Sequence, residues 1–155
     1  MKKILTAVLL SSLPVFASAN WDYKTKPVGD SGYLSNIGTT VSDADSYVMA
    51  VSKLANIDDS YGVEFKFPAK AKLFRCITSF CKLTVTPKGK KPVEFTITGR
   101  REETNIYDVT DSIQAQKLAN ILAKNKVVTI KTSIKGADKT VKYTQEPILD
   151  LKKLK

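Results

Sequence analysis

The segment LFRCITSFCKLTV, residues 73–85, contains both cysteines of the chain, Cys76 and Cys81. Hydrophobic and polar residues alternate on either side of the pair, as they do in β-strands that bury one face. If the two cysteines lie opposite each other across a hairpin, Phe74 faces Leu83 on the apolar side. The segment therefore predicts a tight hairpin in a mainly β protein.

The N-terminus predicts export of the chain. Lys2 and Lys3 precede an apolar stretch at residues 4–16, and Ala17-Ser18-Ala19 forms a cleavage motif of small residues. This order is typical of a bacterial secretory signal peptide, and the stretch is too short to span a membrane. We expect cleavage after Ala19, a periplasmic or secreted location, and one globular domain at residues 20–155 without a membrane span.

Export makes an oxidising compartment the default environment for the cysteines. We therefore expect a structural Cys76–Cys81 disulfide, whose short loop contributes about 2 kcal/mol by the chain-entropy argument. A redox site of the thioredoxin type needs Cys-x-x-Cys at a helix N-terminus. Here four residues separate the cysteines in a strand context, so the pattern favours the structural role.

Alternating segments also occur outside the cysteine region. In residues 62–67, Val63, Phe65 and Phe67 are predicted to point inward. Turn signals occur at 30–32, 36–38, 87–90 and 136–138, and residues 149–154 are predicted to form a basic tail. The remaining predicted strands cover 21–28 (or an arm), 92–98, 126–134 and 140–145. Residues 47–55 fit a helix or a strand, and Tyr47, Val48 and Val51 favour the strand.

One helix is predicted at residues 111–124. Either Asp111 or Thr110 is the predicted N-cap, and Asp111 followed by Gln114 resembles a capping box. The apolar stripe comprises Ala115, Leu118, Ala119 and Leu122. The fold class is therefore mainly β, with one α-helix near 111–124. Either a single-domain antiparallel β-sandwich or a partly open barrel fits this order, and the OB-like barrel is one form of the second.

The charge is uneven along the chain. The formal net charge is +10, and removal of the signal peptide with its two lysines leaves +8. Residues 20–65 carry −4, residues 66–101 carry +9, and residues 102–155 carry +3. The basic middle third predicts a partner-binding surface for an anionic envelope component or an acidic protein. Its candidate residues are Arg75, Lys82, Lys88, Lys90, Lys91, Arg100 and Arg101.

The residue inventory excludes several kinds of catalysis. The chain has no histidine, which removes Ser-His-Asp triads, Cys-His pairs and His-ligated metals. Ser79 and Lys82 match Ser-x-x-Lys formally, but the companion motifs of the penicillin-recognising enzymes are missing. Nucleic acid is not expected, because the phenylalanines fall on core-like faces instead of forming stacking platforms.

Acidic residues provide the remaining route to chemistry. The adjacent pairs at 58–59 and 102–103 would point to opposite faces of a strand, so we expect solvated loops there. A calcium site at Asp43, Asp45 and Asp58 lacks the glycine and glutamate of an EF-hand loop. We therefore predict no catalytic residue, no metal site and no cofactor.

The stretch from Arg75 to Leu83 resembles the Cys-x4-Cys hairpin of small exported bacterial proteins of the invasion-associated locus B type. The likeness extends over residues 62–151 and is supported by the Trp21-Asp22-Tyr23 start; Phe80 stands where that family usually has glycine. The resemblance implies a β-sandwich with a non-enzymatic envelope role, and supplies no catalytic residues.

Together, these observations predict an exported non-enzymatic binding module that uses a basic, disulfide-stapled hairpin. One alternative is a periplasmic inhibitor or immunity protein against an acidic enzyme, since a rigid loop can occupy a cleft at little entropic cost. Another is a carboxylate- or metal-dependent hydrolase. The oligomeric state is left open.

Overall fold

The computed structural model describes residues 20–43, 47–57, 60–67, 76, 81–100, 105–133 and 139–155. These residues form nine strands, one α-helix and a terminal 3-10 helix. Their bounds are β1 Asp22–Pro27, β2 Leu34–Val41, β3 Val48–Leu54, β4 Tyr61–Lys66, β5 Cys81–Pro87, β6 Val93–Gly99, β7 Ile106–Val109, α1 Ser112–Leu122, β8 Val127–Ser133, β9 Lys139–Thr144 and the 3-10 helix Leu151–Leu154.

All nine strands belong to one antiparallel sheet, in the order β1-β2-β3-β4-β7-β6-β5-β8-β9. The sheet curls into a partly open barrel, so the predicted mainly β class with one helix is confirmed. All nine described strands are hydrogen-bonded into one sheet, so the architecture is the partly open barrel and not a sandwich of two packed sheets. Strands β1 and β9 are the two ends of that sheet.

The outer edge of β9 is hydrogen-bonded to the connection that follows β2. The backbone N–H of Asp43 donates to the carbonyl of Lys142 at 3.0 Å. The Asp43 carboxylate accepts from both the backbone N–H and the hydroxyl of Thr144, each at 2.6 Å. Asp43 thus satisfies part of the exposed β9 edge that would otherwise template pairing with another chain.

The predicted alternation along the strands is confirmed by burial. Val63, Phe65 and Phe67 are buried on the inner side of β4 and the residue after it. Leu83 and Val85 of β5 are fully buried. Phe67 lies edge-on between the rings of Tyr47 and Tyr107, with centroids 5.1 Å away in each case, so aromatic packing joins the β2–β3 connection to β7.

Two strands escaped the sequence analysis, and one predicted turn is wrong. Strands β2 and β7 were not predicted. The turn predicted at residues 36–38 lies inside β2. Glycine in a strand can mark close approach of another group, and this is the case for Gly38. A Cβ there would lie 3.2 Å from the rings of both Trp21 and Tyr23.

The predicted C-terminal tail is also wrong, because this segment packs into the core. Leu149 and Leu154 are buried. The 3-10 helix is capped by the Asp150 carboxylate, and the Asp150 backbone N–H donates to the Tyr23 hydroxyl at 2.8 Å. Burial is the main cause that raises the pKa of that hydroxyl. The C-terminal segment therefore contacts β1, the first strand of the sheet.

The predicted start of the helix is confirmed in detail. The Asp111 carboxylate accepts from the backbone N–H of Gln114 at 2.8 Å and from its side-chain amide at 2.8 Å. The Gln114 side-chain oxygen in turn accepts from the Thr96 N–H of β6 at 2.9 Å. The predicted apolar stripe of α1 is buried. The capping pair therefore fixes both the start of α1 and its position against the sheet.

The buried side chain of Gln145 connects the C-terminal end of α1 to Trp21, which precedes β1. Gln145 is fully buried, and its side-chain oxygen accepts from the indole N–H of Trp21 at 2.7 Å. Its amide donates to the carbonyls of Leu122 at 3.1 Å and Asn125 at 2.7 Å. The last carbonyls of a helix lack intrahelical partners. Here the Gln145 amide donates to the last helical carbonyl, that of Leu122, and to that of Asn125 just beyond the helix.

The predicted disulfide is confirmed, whereas the predicted hairpin pairing is wrong. Cys76 and Cys81 are bonded, with 5.7 Å between their Cα atoms. However, both edges of β5 are already occupied, because Leu83 pairs with Phe95 of β6 and Thr132 of β8. A strand has only two hydrogen-bonding edges, so β5 has no open edge at Leu83. The predicted first strand of the hairpin, residues 73–75, lies outside the described residues.

Candidate functional site

The β5–β6 turn carries three of the predicted basic residues, Lys88, Lys90 and Lys91, all of them exposed. Gly89 has a φ of +74°, a left-handed conformation that glycine adopts without the usual Cβ penalty. The Lys90 N–H donates to the Pro87 carbonyl at 3.0 Å, which closes the turn predicted at residues 87–90. The turn therefore presents its lysines from a hydrogen-bonded backbone.

Helix α1 presents a second side-chain stripe to the same region. Ile113, Lys117 and Ile121 of α1 recur at helical spacing, and Lys124 follows just beyond the helix. This stripe adjoins the buried face, because Ile121 is partly buried against the core. Ile113 is 78% exposed, the highest value among the exposed large hydrophobic residues of the described chain. The stripe combines aliphatic and cationic side chains beside the turn.

A hollow of about 560 Å³ lies between the turn and this stripe. That volume falls within the usual range of about 300–1,000 Å³ for small-molecule sites. Lysines and aliphatic side chains make up most of its lining. The residues are Pro87, Lys90, Lys91, Val93, Ile113, Gln116, Lys117, Asn120, Ile121, Lys124 and Asn125.

A second hollow of about 450 Å³ adjoins the first, because both are lined by Lys90, Lys124 and Asn125. Its other lining residues are Lys88, Lys126 and Val127. Four of its six lining residues are therefore lysines. We refer to the two hollows together as the lysine groove.

Most of the cations of the lysine groove have no acidic neighbour in the described chain. Lys126 forms an ion pair with Glu146 at 2.8 Å. Among the described residues, no carboxylate lies within 4.0 Å of the ammonium groups of the other groove lysines, Lys88, Lys90, Lys91, Lys117 and Lys124. Such clustering of one sign of charge in a concave surface attracts anions.

The end of α1 at the groove is hydrogen-bonded within the protein. The Asn125 side-chain amide donates to the Ile121 carbonyl at 2.6 Å, and Gln145 binds the two carbonyls described above. These bonds partly satisfy the negative end of the helix dipole, which opposes anion binding. Asn125, which lines both hollows, is thereby held in place.

Two other predicted site residues, Lys82 and Arg100, lie outside the groove lining. Lys82 of β5 is exposed and forms an ion pair with Glu94 of β6 at 3.0 Å. Arg100 donates two hydrogen bonds to Asp108 and one to Glu64, each at 2.7 Å. Arg75 and Arg101 lie outside the described residues.

The two Arg100 partners explain its position. Glu64 of β4 and Asp108 of β7 are directly opposite each other in the sheet. Like charges in this relation are destabilising. The Arg100 guanidinium bridges the two carboxylates, so the structure gives it an intramolecular role.

The contribution of α1 to this surface was not predicted from the sequence. Lys117, Lys124 and Ile113 lie outside the basic middle third, so charge counting along the chain did not select them. The available signal was the second periodic stripe on the predicted helix. A helix with two such faces contacts the core with one and leaves the other for solvent or a partner.

Several further predictions concern metals and membranes. Asp43 has the hydrogen bonds to Thr144 described above, while Asp45 and Asp58 lie outside the described residues, as do residues 1–19, 59 and 102–103. In the described ranges, no three Cys, Asp or Glu side chains cluster closely enough to hold a metal ion. Within those same ranges, no helix has the length and apolar character needed to cross a membrane.

Comparisons with known proteins found no matching family model, no similar curated protein and no similar solved structure.

Proposed function

We propose that this protein is an exported, non-enzymatic binding module of the bacterial envelope that recognises an anionic partner through the lysine groove. The sequence features that favour export, together with the disulfide, support an oxidising compartment such as the periplasm. The envelope role also agrees with the resemblance to exported proteins of the invasion-associated locus B type.

One observation carries the proposal: five lysines from two elements surround adjoining hollows and have no carboxylate of the described chain at ion-pair distance. Two other exposed lysines, Lys82 and Lys126, each form an ion pair with a glutamate. A concentrated field of one sign raises the encounter rate with anionic partners and favours their retention.

The lining of the groove supports binding over catalysis. The described residues that form it are lysines, amides, aliphatic side chains and a proline. Lysine ammonium and amide groups donate hydrogen bonds to anions. The described lining residues include no carboxylate or thiol, which leaves lysine as the one residue type among them able to act as general base or nucleophile. Lysine takes these roles when it is desolvated in a pocket, whereas the groove lysines are exposed.

Charge reversal in the groove tests the proposal. The purified double variant Lys90→Glu/Lys124→Glu should bind the envelope fraction of the producing cell at least tenfold more weakly at low salt. This magnitude follows from about 1 kcal/mol per cation near an anionic surface. The control, Lys66→Glu/Lys131→Glu, makes the same change of net charge at exposed positions of β4 and β8.

The comparison of the two variants decides the outcome. The wild-type protein and the control should both lose binding as salt rises, because screening weakens exposed charge interactions. Equal binding by the groove variant and the control at every ionic strength would show that the groove does not recognise the anionic partner.

A second candidate function is inhibition of an acidic enzyme. The observation that favours it is the hydrogen-bonded β5–β6 turn, which presents Lys88, Lys90 and Lys91 as a preformed loop. Pull-down with the wild-type protein should then recover one enzyme in stoichiometric amount, and that enzyme should lose activity in the complex. Recovery of the enzyme with full activity would contradict this candidate.

A further inference from the structure

The two parts of the lysine groove differ in chemistry. The larger hollow has aliphatic side chains from the sheet and from the helix, notably Val93, Ile113 and Ile121. The smaller hollow is lined by Lys88, Lys90 and Lys124, with Lys126 at its edge paired to Glu146. Both hollows carry lysines, since Lys90, Lys91, Lys117 and Lys124 also line the larger one, but only the larger one adds this aliphatic surface. We call the aliphatic part of the larger hollow the aliphatic compartment and the smaller hollow the lysine hollow.

We propose that the groove binds a single amphiphilic anion that carries a phosphate headgroup and an aliphatic chain. The phosphate lies among Lys88, Lys90 and Lys124, and the chain covers Val93, Ile113 and Ile121. This inference rests on the proposed function, since it names the chemical class of the anionic partner at the same site.

The aliphatic compartment argues against a simple inorganic ion as the ligand. A free phosphate in the lysine hollow would leave Ile113 78% exposed. Covering aliphatic surface is favourable at about 25 cal/mol per Å². A ligand with an alkyl chain gains this contribution, whereas an inorganic anion does not.

The charge of the lysine hollow favours phosphate over a carboxylate headgroup. Of its four lysines, Lys126 already has a carboxylate partner in Glu146. The other three have no carboxylate of the described chain at ion-pair distance. A phosphate monoester presents three acceptor oxygens and nearly two negative charges, so it can bind several ammonium groups at once.

The concave shape favours one bound molecule over the flat surface of a bilayer. The larger hollow, of about 560 Å³, is open to solvent and can cover one side of a single ligand. A planar headgroup layer would touch the rim lysines and leave the hollow unfilled. An acidic protein segment is a different class of partner, and the experiment below distinguishes it.

Calorimetric titration with short alkyl phosphates, kept below their micelle concentration, tests this inference. Octyl phosphate should bind about fourfold more tightly than hexyl phosphate, as expected when two methylene groups are each half covered. Inorganic phosphate should bind more weakly than either, and the uncharged octyl glucoside more weakly than octyl phosphate.

Two substitutions separate the compartments. Ile113→Ser should reduce the advantage of octyl phosphate over inorganic phosphate, and the control Ile148→Ser, at another exposed isoleucine, should not. Lys90→Glu/Lys124→Glu should weaken binding of octyl phosphate and of inorganic phosphate at least tenfold. Lys66→Glu/Lys131→Glu should retain wild-type affinity apart from a small nonspecific loss.

The outcomes distinguish this inference from the proposed function. If octyl phosphate binds no better than inorganic phosphate, or not at all, the amphiphile inference is wrong. Envelope binding that still depends on Lys90 and Lys124 would then support the proposed function with another anionic partner, such as an acidic protein. If envelope binding is also unaffected by that charge reversal, both proposals are wrong.

Discussion

The buried Gln145 supports the strongest stability prediction. Gln145→Leu changes the side-chain volume little but removes three hydrogen bonds, those from Trp21 and to the carbonyls of Leu122 and Asn125. The side chain of Gln145 is fully buried, so an ordered replacement partner within the protein would require rearrangement. We therefore expect a large loss of stability from a single substitution.

The magnitude follows from the groups left without partners. The Leu122 carbonyl retains a long hydrogen bond from the Asn125 backbone N–H, at 3.5 Å. The indole N–H of Trp21 and the Asn125 carbonyl lose the bonds that Gln145 supplies. A buried polar group without a partner costs about 1–3 kcal/mol, and the buried indole N–H carries most of this loss. The part-buried Asn125 carbonyl keeps some access to water, so the two together should cost about 2–3 kcal/mol. That is a substantial part of the usual stability of about 5–15 kcal/mol.

Urea unfolding followed by circular dichroism measures this loss. A double-mutant cycle with Trp21→Phe isolates the indole hydrogen bond. Trp21→Phe alone should be destabilising, and the double variant should be about 1–2 kcal/mol more stable than the sum of the single effects predicts. Additive effects in the cycle, or a Gln145→Leu variant within about 0.5 kcal/mol of wild type, would refute the reasoning.

Three further substitutions test other parts of the fold. Cys76→Ser/Cys81→Ser should lower the free energy of unfolding by about 2 kcal/mol, and reduction of the wild-type protein should give the same loss in urea; no change would contradict a stabilising disulfide. Gly38→Ala should cost about 1–3 kcal/mol, because the new methyl group would press on the ring of Trp21 and on that of Tyr23 in β1; the control Ala50→Gly in the neighbouring strand should cost about 1 kcal/mol or less. Burial raises the pKa of the Tyr143 hydroxyl above its unfolded value of about 10. The contribution of the protonated hydroxyl to the free energy of unfolding is therefore fully present below about pH 10 and is lost as pH rises above it. Tyr143→Phe should therefore reduce the fall in stability between about pH 10 and 11, by up to about 1.4 kcal/mol per pH unit, and an unchanged slope would assign the fall to other groups.

The sequence predicted elements whose signals are local. The Asp111 and Gln114 pair marked the start of α1, because a capping box involves residues only three positions apart. Alternation marked β4 and β6, because successive side chains of a strand point to opposite faces. Gly38 shows the limit of such signals. It resembled a turn residue, whereas the structure places it in contact with the rings of Trp21 and Tyr23.

The lysine groove was only partly predictable for the same reason. Lys88, Lys90 and Lys91 were selected because they are adjacent in the sequence. Lys117 and Lys124 join them only because the chain returns along α1 beside the β5–β6 turn. Arg100 shows the reverse effect, since charge counting grouped it with the lysines while the sheet places it between Glu64 and Asp108.

By itself, the sequence determined the predominance of strands, the capped helix, the disulfide and the basic character of the chain. These follow from periodicity, capping chemistry, cysteine count and composition, which act over a few residues or over the whole chain. The tertiary structure alone decided the strand order, the two neighbours of β5 and the joining of turn and helix lysines around adjoining hollows. Strand pairing and groove formation depend on which distant segments bury their apolar faces together, and no local pattern specifies that choice.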